Sequence, residues 1–375
     1  MRKFKPTMLA GALAIAAFQV AGPAVATPLL GDGLNKITSD NFENLYRKVA
    51  NCTAANPCLA DAANPANGTS FLAPPAGIIV PSVPAGWAYP SPFTLTPNVI
   101  AGDVFAGIFN YSGIENLTAG INWAANPATG DQLMAYFATE VINVYAGGLN
   151  AGPPITDNDP YSNVSVPPDP VGDLQLLDHI DFRSAGANDP FGILTGSEVM
   201  RMYVDLPTPW TAVQTLANQL ANITAGTLWA TFGMGADPTP GSLDPDGFGY
   251  SHVPLGTSPS GFNGEAFFAM NFITNNTGRL FDPINDTNEN ELGGSTVPPN
   301  TGLCFGPATC TDFILNVGQL NANQQGWILT GDSEWGFQSG DDAFLYARVP
   351  EPTSLALLAA GLLGLAGIRR RSNHA

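Results

Sequence analysis

Short apolar runs closed by Gly, Asn, Asp or Pro dominate the middle of the chain. Asp103–Phe109, Leu133–Phe137, Val141–Tyr145, Leu228–Phe232, Phe267–Ile273, Phe313–Val317 and Ala343–Ala347 are of this kind. Their length and punctuation predict strands. Two stretches read as helix. One is Ser39–Ala50, capped by Ser39 or Asp40; the other is Thr208–Ala221, with Thr208 as cap and Pro209 at the first helical position. The expected fold is therefore mostly β, with sandwich-like antiparallel sheets and one or two short helices. No repeat of roughly 20 to 50 residues is visible, which gives no support to a solenoid or propeller.

Proline marks the internal division. Pro153, Pro154, Pro160, Pro167, Pro168 and Pro170 crowd residues 153–170, a density that blocks both helix and central strand. This stretch is expected to be a linker or loop between a β-rich region at 27–152 and another at 171–349. Two domains, or one large sandwich with insertions, both fit a body of that size. A second loose region, Gly233–Gly264, is rich in Gly, Pro and Ser and reads as a long loop.

The two ends carry different signals. Arg2, Lys3 and Lys5 precede an apolar stretch from Met8 to Val20, and Ala24-Val25-Ala26 offers a small-x-small cleavage site. Residues 1–26 are thus expected to be a secretory signal peptide. At the other end, Pro350-Glu351-Pro352 leads into apolar residues 355–368 and then Arg369, Arg370 and Arg371. As a helix the apolar run would be about 21 Å long, shorter than the hydrocarbon core. The arginines favour a cytoplasmic C-terminus and can snorkel to extend the span. A short transmembrane helix at 355–368 is the expectation, since a core helix would need a polar face that this run lacks.

These C-terminal features resemble the PEP-CTERM sorting signal, also known as the ice-binding protein C-terminal domain. The three parts occur in the right order and at the chain end, over residues 350–375. The resemblance implies export in a Gram-negative bacterium that makes exopolysaccharide. It also implies transit on the inner membrane, recognition by an exosortase as partner together with the secretion machinery, and removal of the tail. The second family name does not imply ice binding. Segments at Gly102–Ile108, Asp246–Ser251 and Trp335–Ser339 are similar to parts of other exported proteins of this kind and transfer no functional residue.

Charge narrows the partners. The formal net charge is −18. Removing both ends strips Arg2, Lys3, Lys5, Arg369, Arg370 and Arg371 but only one acid, Glu351, so the body is more acidic still. Such a surface repels phosphate backbones, which excludes nucleic acid, and favours divalent cations and neutral or cationic matrix partners such as exopolysaccharide.

The four cysteines fall as Cys52 with Cys58 and Cys304 with Cys310. An exported chain and this spacing suit two local disulfides, although three pairings are formally open. Zinc is disfavoured, since neither pair has a histidine nearby and CxxC spacing is absent. Catalytic material is scarce: outside the tail the only histidines are His179 and His252, too few for a multi-histidine metal centre. Ser333 in Gly331-Asp332-Ser333-Glu334 lacks a partner block for esterase chemistry. Trp87, Tyr89, Trp123, Trp210, Trp327 and Trp335 are the aromatics that either stack on sugars or fill the core.

No cofactor is indicated except calcium. Asp286, Asn288 and Asn290 present oxygens at alternating positions, as a hard cation requires, yet Glu291 and Val297 stand where an EF-hand wants glycine and glutamate. Asp157–Asp159 and Asp244–Gly247 are further candidates, and each of the three loops also reads as ordinary turn chemistry. The leading functional expectation is an exported cell-surface or matrix protein, structural or adhesive in biofilm or floc, without catalysis. A calcium-stabilised carbohydrate-binding module and a secreted polysaccharide or ester hydrolase are the alternatives.

Overall fold

The computed structural model describes residues 30–74, 80, 83–90, 99–117, 120–126, 131–145, 178–211, 214–234, 247–251, 264–282, 284–285, 310–317, 321–322, 335 and 337–348. Ten strands, labelled in chain order, form its wall: β1 (Gly33–Lys48), β2 (Val104–Asn116), β3 (Leu133–Tyr145), β4 (Asp178–Ser184), β5 (Glu198–Val204), β6 (Thr227–Met234), β7 (Gly247–Ser251), β8 (Gly264–Asn275), β9 (Phe313–Val317) and β10 (Phe337–Arg348).

They occupy eight positions around a closed antiparallel barrel. β4 and β5 lie end to end along β3: Asp178–Ser184 runs beside the C-terminal half of β3, and Glu198–Val204 beside its N-terminal half. β6 and β7 lie in tandem along β8 in the same manner. Each wall position therefore pairs with the next in sequence, and β10 returns to pair with β1 from Gly33↔Ala347 to Glu43↔Phe337. That last pairing turns an up-and-down meander into a barrel and leaves β1 paired on both sides, with β10 and with β2. Closure removes the free edges that the ends of an open sheet would present. Strands from both sides of residues 153–170 pair directly in this wall, for example β3 with β4.

The interior is apolar. Ile37, Leu45, Phe105, Phe109, Phe137, Phe182, Phe268 and Leu315 are all buried, whereas Thr38, Asp40, Ser112 and Glu115 on β1 and β2 face solvent.

Part of the outer wall is covered as well. The excursion between β4 and β5 folds back over it, placing Phe191 against Tyr46 and Tyr136 with ring centroids at 5.4 and 6.1 Å. Asp189 holds the excursion in place, accepting from the Tyr136 hydroxyl and from the backbone N–H of Phe191, Ile193 and Leu194. Among the described residues one α-helix, α1 (Leu216–Thr224), lies beside β3. Its Gln219 carbonyl oxygen accepts from the indoles of Trp210 (3.1 Å) and Trp335 (2.7 Å), and Trp210 packs on Phe42. A flank at residues 49–90 carries its own small core of Cys52, Cys58, Ala60, Phe71 and Ala88, closed by the Cys52–Cys58 disulfide.

Several expectations change. The sheets do not stack as a sandwich, because β1 and β10, at opposite ends of the described chain, pair with each other. Ser39–Ala50 is not a helix: residues up to Lys48 belong to β1, and Val49–Asn51 form a short 3-10 turn. Its helix-compatible residues are overridden by strand pairing on both sides and by burial on both faces, a tertiary effect that local propensity does not contain. The second helix begins at Leu216, capped by Thr215. Thr208 and Pro209 precede it because Trp210 is drawn away, its backbone N–H donating to Gln132 and its ring resting on Phe42. The runs at 133–137 and 141–145 are one strand. Among the described residues no helix is long and apolar enough to cross a membrane. The expected signal peptide, the linker at 153–170 and the helix at 355–368 lie outside the described residues.

Candidate functional site

The pleat of β1 sends Asn41 and Glu43 into the barrel, where they are 1 % and 4 % exposed. Across from Glu43 on β2 stands Gly107. A Cβ there would lie 2.3 Å from the Phe42 carbonyl oxygen and 2.7 Å from the Glu43 Cβ. Only a residue without a side chain lets the two strands approach with Glu43 turned inward. Thr139 on β3, 2 % exposed, lines the same cavity.

That cavity has a volume of about 30 Å³. Its apolar walls are mostly phenylalanine, Phe105, Phe109, Phe137, Phe182 and Phe268, joined by Val199, Met200, Met270 and Leu315. Phe109 meets Phe137 at 4.7 Å, and Phe182 meets Phe268 at 5.5 Å between centroids. The polar end is made by Asn41, Glu43 and Thr139. The Asn41 amide donates to Glu43 Oε2 at 3.4 Å, whereas Asn41 Oδ1, Glu43 Oε1 and Thr139 Oγ1 are buried without a hydrogen-bond partner among the described residues. Burial pushes the Glu43 carboxyl up to about 7, with the Asn41 hydrogen bond opposing the shift. A carboxyl so placed changes charge near neutral pH, and perturbed groups of this kind mark sites more often than scaffolding.

Among the described residues three ion pairs hold the wall together. Arg47 donates Nε to Asp103 Oδ1 (2.8 Å) and Nη2 to Oδ2 (2.7 Å), with both side chains essentially unexposed. Burial raises the Asp103 carboxyl from its ordinary range, and Arg47 opposes that rise. Arg183 pairs with Glu140 and Arg201 with Glu198. Burial disfavours ionised Glu198, yet hydrogen bonds from Arg201 and Thr195 outweigh it and hold the carboxyl below its ordinary range.

The residues singled out from sequence fall elsewhere. Cys52 and Cys58 are bonded, with Cα atoms 5.5 Å apart. Cys310 lies in the two-residue strand Cys310–Thr311, and Cys304 is outside the described residues. So are Ala24, Ala26, the loop positions Asp286, Asn288 and Asn290, and the tail residues Pro350, Glu351, Pro352, Arg369, Arg370 and Arg371. Among the described residues no group of three or more His, Cys, Asp or Glu is placed to hold a metal ion. Trp87, Tyr89, Trp123, Trp210 and Trp335 are all buried, so these five aromatics fill cores and form no exposed sugar platform; Trp327 lies outside the described residues.

Sequence reasoning missed the Asn41–Glu43–Thr139 end of the cavity, because it placed Asn41 and Glu43 on a helix, whereas they lie on β1. The one available signal was Gly107 inside an apolar strand run, the mark of close backbone approach.

Comparison with known families identifies one segment: residues 348–371 match the PEP-CTERM protein-sorting motif. The chain thus carries this C-terminal motif, containing Pro350-Glu351-Pro352 and the three arginines. No curated protein and no solved structure matches the chain.

Proposed function

We propose that the protein is a cell-surface or extracellular-matrix component, structural or adhesive in an exopolysaccharide biofilm or floc, with the barrel as its exported body and no catalytic role. The observation that carries this reading is the sorting motif, which implies export and membrane-anchored transit through an exosortase. The junction supports it. The matched segment begins at Arg348, the last residue of β10, so cleavage near Pro350–Pro352 would leave the closing strand whole. The disulfide suits an oxidising compartment. The paired and hydrogen-bonded carboxylates Asp103, Glu140 and Glu198 of the wall and Asp189 of the excursion over it suit a body whose charged groups maintain the fold.

The test is the intact mass of the protein recovered separately from the host's membranes and from its surface or medium fraction. A surface form starting at Thr27 and ending near Pro350–Pro352 is expected, and a chain still ending at Ala375 in the membrane fraction alone would overturn the proposal.

A further inference from the structure

Three unpartnered buried oxygens stand at the polar end of the barrel cavity: Asn41 Oδ1 and the ionised Glu43 Oε1 only accept hydrogen bonds, and the Thr139 hydroxyl accepts as well as donates. A neutral apolar occupant would leave all three buried without a partner, which is unfavourable. An anion would meet the Glu43 carboxylate in a low-dielectric interior and be repelled. A hard metal ion takes about six or more oxygens, and phenylalanines supply none. What satisfies the oxygens and suits the rings together is a compact cation with several N–H donors. Its ammonium hydrogens meet the oxygens and its charge is balanced by the Glu43 carboxylate, while its alkyl part lies among the rings.

We propose that the barrel interior bounded by Glu43, Asn41 and Thr139 is a binding site for a small primary ammonium cation, with the phenylalanine walls enclosing its alkyl part. Size limits the ligand. One water needs about 10–15 Å³ on the same measure, so about 30 Å³ takes two or three non-hydrogen atoms, the size of methylammonium or ethylammonium. Met200 and Met270 also line the space, and their unbranched side chains can shift to admit one or two further carbons. Arg47, four residues along β1, does not neutralise the site, being held by Asp103 and by the Asn56 carbonyl oxygen.

The experiment is an NMR titration of the purified protein with ¹³C-methylammonium chloride at pH 8 and constant ionic strength, with methanol as the neutral isostere. Saturable binding of one equivalent is expected, weakened at least tenfold in Glu43→Gln and also weakened in Thr139→Val. The unaltered protein at pH 5, where Glu43 is protonated, is expected to lose the binding to a similar degree, and methanol is expected not to compete. With folding of each variant confirmed by its proton spectrum, three results overturn the proposal. These are no saturable binding, equal binding by Glu43→Gln, and methanol binding as well as methylammonium; the last would mean that the cavity takes water or neutral donors only. None of these outcomes bears on sorting of the chain, which the mass measurement decides independently.

Discussion

Glu43 keeps its place because Gly107 across the strand pair has no side chain, and the two residues make separable predictions. The Glu43 carboxyl titrates at about 7 in the folded protein against an ordinary 4.5. Between those values the native state keeps a proton that the unfolded chain has lost. This contribution is therefore fully present below about pH 4.5 and is lost as pH rises through about 7, by about 3 kcal/mol in total. Glu43→Gln carries no such titration, so in amine-free buffer the variant should be the more stable form at pH 8 and show a flatter pH profile. Urea unfolding at pH 4.5 and pH 8 reads this, and parallel profiles for the two proteins would sink it. Gly107→Ala drives a methyl group into Phe42 and Glu43 across the strand pair, an overpacking that should cost about 1–3 kcal/mol. Its urea midpoint should fall with no change in m-value; an unchanged midpoint would mean that the strands do not approach this closely.

At the scale of elements, β1 shows where local reading ends. Its sequence from Ser39 onward contains good helix formers, but each turn of such a helix would have to forgo two ladders of strand pairing. The strands read correctly, such as β9 at Phe313–Val317, are those whose own composition already agrees with their neighbours. The flank next to β1 depends on a local crosslink instead. Cys52 and Cys58, six residues apart, close a short loop, for which chain entropy gives about 2 kcal/mol. Replacing both by alanine should lower stability by about that amount and, in native-state hydrogen exchange, expose the backbone of residues 49–60 while leaving β2 and β3 protected. Equal loss of protection in β2 and β3 would show that flank and barrel unfold as one unit.

The whole molecule depends on its last described strand, since β10 joins β9 on one side and β1 on the other. A chain ending at Gly336 lacks that strand, opens the barrel and exposes two edges; it should lose cooperative unfolding in circular dichroism. A chain ending at Pro350 retains every strand and should unfold like the full body. Cooperative unfolding of the shorter chain would contradict barrel closure by β10. From the residues alone came the strand-rich body, the exported character, the local Cys52–Cys58 bond and the sorting tail, because each of these is written in contiguous composition, spacing or punctuation. Closure into a barrel, the strand state of Ser39–Lys48, and the meeting of Asn41, Glu43 and Thr139 were decided by the tertiary structure. They depend on residues from opposite ends of the chain becoming neighbours, and the pairing and burial that result act across distances over which a local pattern carries no information.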